Sequence, residues 1–195
     1  MPLLSEKTKP VPKLHVPQTG LLWAYIPFAR VNADVIGPLP EDQEGYKYIL
    51  VFIDSFFRFT IIVNLKVINA NLTADALIWK VCAIFGIPFQ IHSNNGPEFS
   101  KAVFDELSKF LSIEVSKSIP RFSQSNRLVA RRHRDFLQNL RKLHLNFNAY
   151  DAWSEYLPYV QLLLNSFKSS ITKYSPCLVI FGSDVFPRSD PGNIH

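Results

Sequence analysis

An α/β domain, with a mixed sheet flanked by helices, is the fold class that this sequence predicts. Two observations lead there. Strand-like and helix-like segments follow one another in the order β-β-β-α-β-α-β-α-α. The 195 residues, 47% of them apolar, suffice for one domain with a sizeable core and exclude disorder for the bulk of the chain.

Residues 1–20 hold four prolines among scattered charges and read as an extended arm. The domain proper is expected over 21–183, with a tail over 184–195. Val31 to Ile36 is a short strand ending at Gly37-Pro38-Leu39-Pro40, and Glu41 to Gly45 is a polar turn. Tyr46 to Asp54 and Phe57 to Lys66 are apolar, β-branched and aromatic, an antiparallel pair across a short link. Thr73 is placed as the cap of a helix whose apolar positions include Leu77, Ile78, Val81, Ile84 and Phe85, ended by Gly86 and Pro88. A strand over 87–91 follows. Pro97 and Glu98 suit the first turn of a helix with Phe104, Leu107, Phe110 and Leu111 on its core face. Ile113 to Ser116 is another short strand.

Ser123 or Ser125 can cap a long helix running to about 146. Val129, Phe136, Leu140, Leu143 and Phe147 fall on one side of it. Arg127, Arg131, Arg134, Gln138, Arg141 and Lys142 fall on the opposite side, within about a third of the circumference. Trp153 to Phe167 is amphipathic and expected to kink at Pro158. Ser175-Pro176 opens a last short helix.

No apolar run approaches the roughly 20 residues of a membrane span, and MPLLSEKTKPVPK lacks the apolar stretch of a secretory signal. No membrane and no small-molecule substrate is expected. Cys82 and Cys177 sit in apolar helical contexts and read as reduced core residues of an intracellular protein. No Cys/His cluster has zinc spacing. The net charge of +5 is uneven: residues 31–100 carry −3, whereas residues 101–150 carry ten Lys/Arg against four acids. That local excess, with Lys117 and Arg121 just ahead of the long helix, suits an anionic partner.

IHSNNGPEFS (91–100) places a polar tip between a strand and a helix, where α/β enzymes often keep a catalytic group. Here the tip offers neutral amides. Asn-Gly pairs also favour plain turns, so this segment by itself leaves both readings open.

Five stretches taken together carry a resemblance: DVIGPLP (34–40), YKYILVFIDSFFRF (46–59), IHSNNGPEF (91–99), SQSNRLVARRHR (123–134) and WSEYLP to LNSFKSSITKYSPCLVIFG (153–182). The chain resembles the catalytic core of retroviral-type integrases, in particular those of gypsy-type LTR retrotransposons, over about residues 18–183. The resemblance implies a ribonuclease-H-like fold, a five-stranded mixed sheet with helices on both faces. It also implies three acids, Asp, Asp and Glu, holding two divalent metals, Mg²⁺ in the active family, for in-line attack on a phosphodiester. Asp34 matches the first acid. Asn94 stands where the second is expected and Ala130 where the third is, with the family's usual 35 residues between them. The register is right and two of the three residues are not acids. Asp135 follows Ala130 by five residues, which on a helix aims it about 140° away. Asp54 also matches a family Asp and is read as structural.

Other departures agree. Phe122-Ser123 replaces the His-Pro pair of the family's flexible loop, and Arg127 replaces its Gly. The zinc-binding domain that precedes the core in the family has no expected counterpart here, nor does the C-terminal DNA-binding region. His15, His92 and His133 are therefore expected to be surface or hydrogen-bonded rather than ligands.

The resemblance leaves three readings. One is an inactive core that still binds DNA through Lys117, Arg121, Arg127, Arg131, Arg134, Arg141 and Lys142, with no cofactor and Asp34 holding metal weakly at best. Another is a protein-interaction module, a homodimer with Trp153, Tyr156 and Tyr159 as candidate anchors. The last is a decaying element without selected function. An intracellular, nuclear location is implied by the lineage.

Overall fold

A computed structural model of the chain describes residues 26–93, 109, 111–117, 151–169 and 172–184. The extended arm, the long basic helix and the tail from 185 lie outside the described residues, as does the helix expected at Pro97 apart from its last turn, where Leu111, expected on the core face, is half-buried against the core.

Five strands form one mixed sheet in the order β3-β2-β1-β4-β5. They are β1 (Arg30–Ile36), β2 (Tyr48–Asp54), β3 (Thr60–Leu65), β4 (Gln90–Ser93) and β5 (Glu114–Lys117). β1, β2 and β3 pair antiparallel, and β4 and β5 add in parallel on the other side of β1. β2 is almost wholly buried, which explains its unbroken apolar run in place of alternation.

The other strands sort their side chains by parity. Val31 and Ala33 of β1, Leu50 and Phe52 of β2, and Ile61 of β3 join one core. The covering helical segment is α1 (Ala70–Leu77), a π turn (Ile78–Cys82) and α2 (Ala83–Phe85), which bury Ala76, Leu77 and Val81 there. Ile36, Ile49, Val51 and Ile53 face the opposite way and meet Trp153, Leu157, Val160 and Leu164. Those four come from a 3-10 turn (Trp153–Tyr156) and α3 (Leu157–Ser166). α4 (Pro176–Phe181) returns Cys177 to the first core.

Several local expectations are corrected. Asn69, not Thr73, caps α1: its Oδ1 accepts the Leu72 N–H at 2.9 Å. Thr73 lies one turn inside, fully buried, with Oγ1 donating to Asn69 O at 2.9 Å. The helix ends at Gly86, as expected, with φ +89°. Ile84, assigned to its apolar face, is exposed, because the π turn rotates the residues after it off the α-helical wheel. β4 begins at Gln90 rather than 87 and runs on through His92 and Ser93, whose backbones pair with β1 and β5 despite their polar side chains. Pro158 does not kink a helix. It occupies the first turn of α3, where a missing N–H costs nothing. Ser175 caps α4 as expected, its Oγ accepting the Leu178 N–H at 3.1 Å.

Gly37, at φ +139°, is needed at the end of β1. A Cβ there would lie 2.7 Å from Lys47 O and 2.8 Å from Tyr48 Cδ1. The bare backbone lets the chain leave β1 pressed against the entry to β2.

Candidate functional site

Asp34 sits on β1, the central strand, and its Cα pairs with Val51 of β2. By strand alternation it shares a face with Asn32 and Ile36. Its half-buried carboxylate accepts the Val35 N–H through Oδ1 at 3.0 Å. On the other side of β1, Ala33 pairs with Ser93 in the last register of the parallel ladder. The residues that follow those two in the chain are Asp34 and Asn94. β4 itself, Gln-Ile-His-Ser, contributes no carboxylate.

Asn94 and Ala130 lie outside the described residues, as do Arg121, Arg127, Arg131, Arg134, Arg141 and Lys142. Lys117 ends β5, its backbone paired with Ser93. The ladder therefore sets the backbone of one basic position in the strand row that also holds the Asp34 strand, two strands away.

His92 meets Ser116 across the β4–β5 ladder, Nδ1 to Oγ at 3.0 Å, as a hydrogen-bonded histidine. Asp54 is structural in its contacts. It is 1% exposed, and its carboxylate accepts the N–H groups of Phe28 (2.7 Å), Phe56 (2.9 Å) and Phe57. Burial pushes its pKa up, and those three N–H groups and Arg58 pull against that without cancelling it. Phe28, so held at a positive φ of 56°, stacks on Phe85 at 3.8 Å between ring centroids.

Composition gave little sign of a second clamp. Asp42 accepts the Tyr46 N–H at 2.8 Å and the Glu44 N–H at 3.1 Å, closing the 41–46 turn. Burial raises its pKa, but hydrogen bonds from Ser154, Tyr46 and Glu44 outweigh it, and the net shift is downward. The same turn holds the start of the last helical layer: Gln43 N–H donates to Asp151 O at 2.6 Å, and Trp153 Nε1 donates to Pro40 O at 2.8 Å. The acidic signature EDQE could have marked that turn as more than polar filler. Trp153 is consequently core, which removes it as an exposed anchor. Tyr156 is half-buried, whereas Tyr159 is 61% exposed on α3. Cys82 and Cys177 are free thiols, and burial raises the pKa of both. None of the helices in the described residues is long and apolar enough to cross a membrane.

Residues 24–123 match the family model of the integrase core domain. The chain is 35% identical over 158 residues to the Pro-Pol polyprotein of simian foamy virus type 3 (strain LK3), which covers 81% of this chain and 13% of that polyprotein. It is 25% identical over 156 residues to the retrovirus-related Pol polyprotein from transposon 412 of Drosophila melanogaster, covering 80% of this chain and 12% of that one. The chain thus spans about an eighth of these relatives' length. Among solved structures, the HTLV-2 integrase catalytic core domain in complex with magnesium, in its trimeric form, superposes with a TM-score of 0.63 at 18% identity, covering 79% of this chain and 97% of that one. The sheet order and this likeness make the fold ribonuclease-H-like.

Proposed function

We propose that this chain, which belongs to the integrase core domain family, is a catalytically inactive relative of the polynucleotidyl transferases that binds DNA. The donor set carries the reading. Of the three positions where the family resemblance expects carboxylates, Asp34 has one, position 94 has an amide and position 130 a methyl. Two dications about 3.5–4 Å apart repel strongly unless carboxylates neutralise them. One carboxylate, already accepting a backbone N–H, does not fit that requirement. No transfer or hydrolytic step is therefore assigned to the site, and Asp34 holds a single ion weakly at best.

What supports DNA binding is the charge of residues 101–150, ten Lys/Arg against four acids. Lys117, Arg121, Arg127, Arg131, Arg134, Arg141 and Lys142 neutralise phosphates and carry little sequence information. A nuclear location, implied by the lineage, is part of the same reading. A homodimer is the second reading, favoured by Tyr159, an aromatic side chain left exposed on α3.

Fluorescence anisotropy on a labelled duplex, at several ionic strengths and with or without Mg²⁺, tests the reading. Log K falls steeply with log salt, is indifferent to Mg²⁺, and collapses in the Arg131→Glu, Arg134→Glu double variant. Absence of binding at low salt overturns the DNA reading. Mg²⁺- or Mn²⁺-dependent strand joining that disappears in Asp34→Ala overturns the inactive one.

A further inference from the structure

We propose that residues 167–169 and 172–174, between α3 and α4, form a second nucleic-acid contact, one that takes an unpaired strand, with Phe167 and Tyr174 as stacking faces and Lys168 and Lys173 as phosphate partners. It is independent of the duplex reading above, since none of its residues lies in the 101–150 segment.

Phe167 follows directly on α3 and Tyr174 comes two residues before α4, yet hydrogen bonds hold their segments together. Lys173 N–H donates to Ser169 O at 2.9 Å, and Ser169 N–H donates to Tyr174 O at 2.9 Å. Thr172 Oγ1 donates to Tyr174 O at 3.1 Å. Ser169 is buried as the anchor of this exchange. Phe167, Lys168, Lys173 and Tyr174 are not. Phe167 is 59% exposed and Tyr174 57%, and Lys168 and Lys173 are exposed beside them. Neither ring is among the residues of the two cores.

Lys173 adds a backbone argument. It sits at φ +65°, a left-handed conformation that glycine takes without penalty and lysine does not. The same is true of Phe28, Arg58 and Ser112, but of the four only Lys173 lies beside the exposed rings. Two cations among residues 167–174 match a phosphate backbone, and flat aromatic faces match bases only when those are unpaired. Asp184 accepts a hydrogen bond from Ser175 Oγ.

Anisotropy with labelled dT15 and rU15 oligonucleotides, run beside a labelled duplex, tests the proposal. The wild-type chain binds the single strands, more weakly as salt rises. Phe167→Ala and Tyr174→Ala each weaken that binding about ten-fold, as loss of a stacked base does, with duplex affinity unchanged. Lys173→Gly weakens it too while melting no lower than wild type, which separates loss of contact from loss of fold. Equal affinity for dT15 and rU15 supports stacking and phosphate recognition without 2′-hydroxyl readout; discrimination between them supports the same site with a sugar contact. No single-strand binding by wild type, unchanged affinity in the variants, or equal losses for duplex and single strand each overturn it.

Discussion

Asn165 completes the outer edge of the sheet for Thr60. Thr60 N–H donates to Asn165 Oδ1 at 2.8 Å, and Asn165 Nδ2 donates to Thr60 O at 2.8 Å, across 105 residues of chain. One turn earlier on α3, Gln161 Oε1 accepts the Ile62 N–H at 2.7 Å. β3 is an edge strand, and its outward groups at 60 and 62 would otherwise be open to another strand. Two amides four residues apart on a helix stand in for the missing neighbour. Asn165→Ala leaves both backbone groups of Thr60, a residue 1% exposed, without that partner. The expected loss is about 2–6 kcal/mol at roughly 1–3 per orphaned group, read as a lower urea midpoint at unchanged m-value. A loss under about 0.5 kcal/mol would mean water replaces the amide.

That clamp also shows where sequence reasoning stops. The strands were legible because their side chains are sorted by burial: Val31, Ala33, Leu50 and Phe52 go to one core and Ile49, Val51 and Ile53 to the other. The helix starts were less so. Asn69 and Thr73 are both good cap residues, and only the backbone path decides between them. The π turn leaves no mark in composition, and it is what puts Ile84 in water. Gln161 and Asn165 carry a weak signal, amides at spacing four on a helix otherwise rich in Leu and Val, yet their target is a strand about 100 residues away. At the site, Asp34 was found from its motif. The positions of Asn94 and Ala130 rest on the resemblance, because an amide and a methyl announce no chemistry of their own.

Asp54 and Asp42 respond to pH in opposite directions. Burial raises the pKa of Asp54, so its stabilising contribution is full below the ordinary carboxylate range and is lost as pH rises through the folded value. The pKa of Asp42 is lowered, so its contribution is present above that range and is lost as pH falls through the folded value. Asp54→Asn turns an amide N–H₂ toward one of three backbone donors. It costs about 1–3 kcal/mol for the N–H left facing it, and the deficit against wild type is larger at pH 4 than at pH 7. Asp42→Asn costs most near neutrality, and its deficit shrinks on acidification. Urea melts of both variants from pH 3 to pH 7 check the crossing trends.

Gly37→Ala places a methyl within 2.8 Å of Lys47 O and Tyr48 Cδ1 at a φ that L residues rarely adopt. Strain of about 1–3 kcal/mol adds to overpacking of similar size. Because the contact joins the end of β1 to the start of β2, relaxation moves the strand that carries Asp34. Thermal melting reports the loss, and amide exchange should show it first at Val35, Ile36 and Tyr48. Equal protection there in variant and wild type would mean that the turn alone absorbs the strain.

Rebuilding the acids tests the degenerate-site reading from the opposite side. In the Asn94→Asp, Ala130→Glu double variant, three carboxylates converge if the positions are assigned correctly. Mutual repulsion then destabilises the metal-free protein and raises the pKa of at least one of the three. Added Mg²⁺ or Mn²⁺ reverses this by binding only the folded state, worth about 2.7 kcal/mol at a hundred-fold excess over Kd and therefore roughly 5–10 °C in Tm for a domain of this size. The wild-type chain, with Asp34 as its one acid of the set, shows a Tm indifferent to either ion. Restoring only one acid should give an intermediate, weaker response, since each carboxylate adds charge neutralisation for the same pair of ions. A double variant that melts like wild type with and without metal would mean that 94 and 130 do not face Asp34. The motif register would then be wrong, and the inactivity proposed here would need another cause.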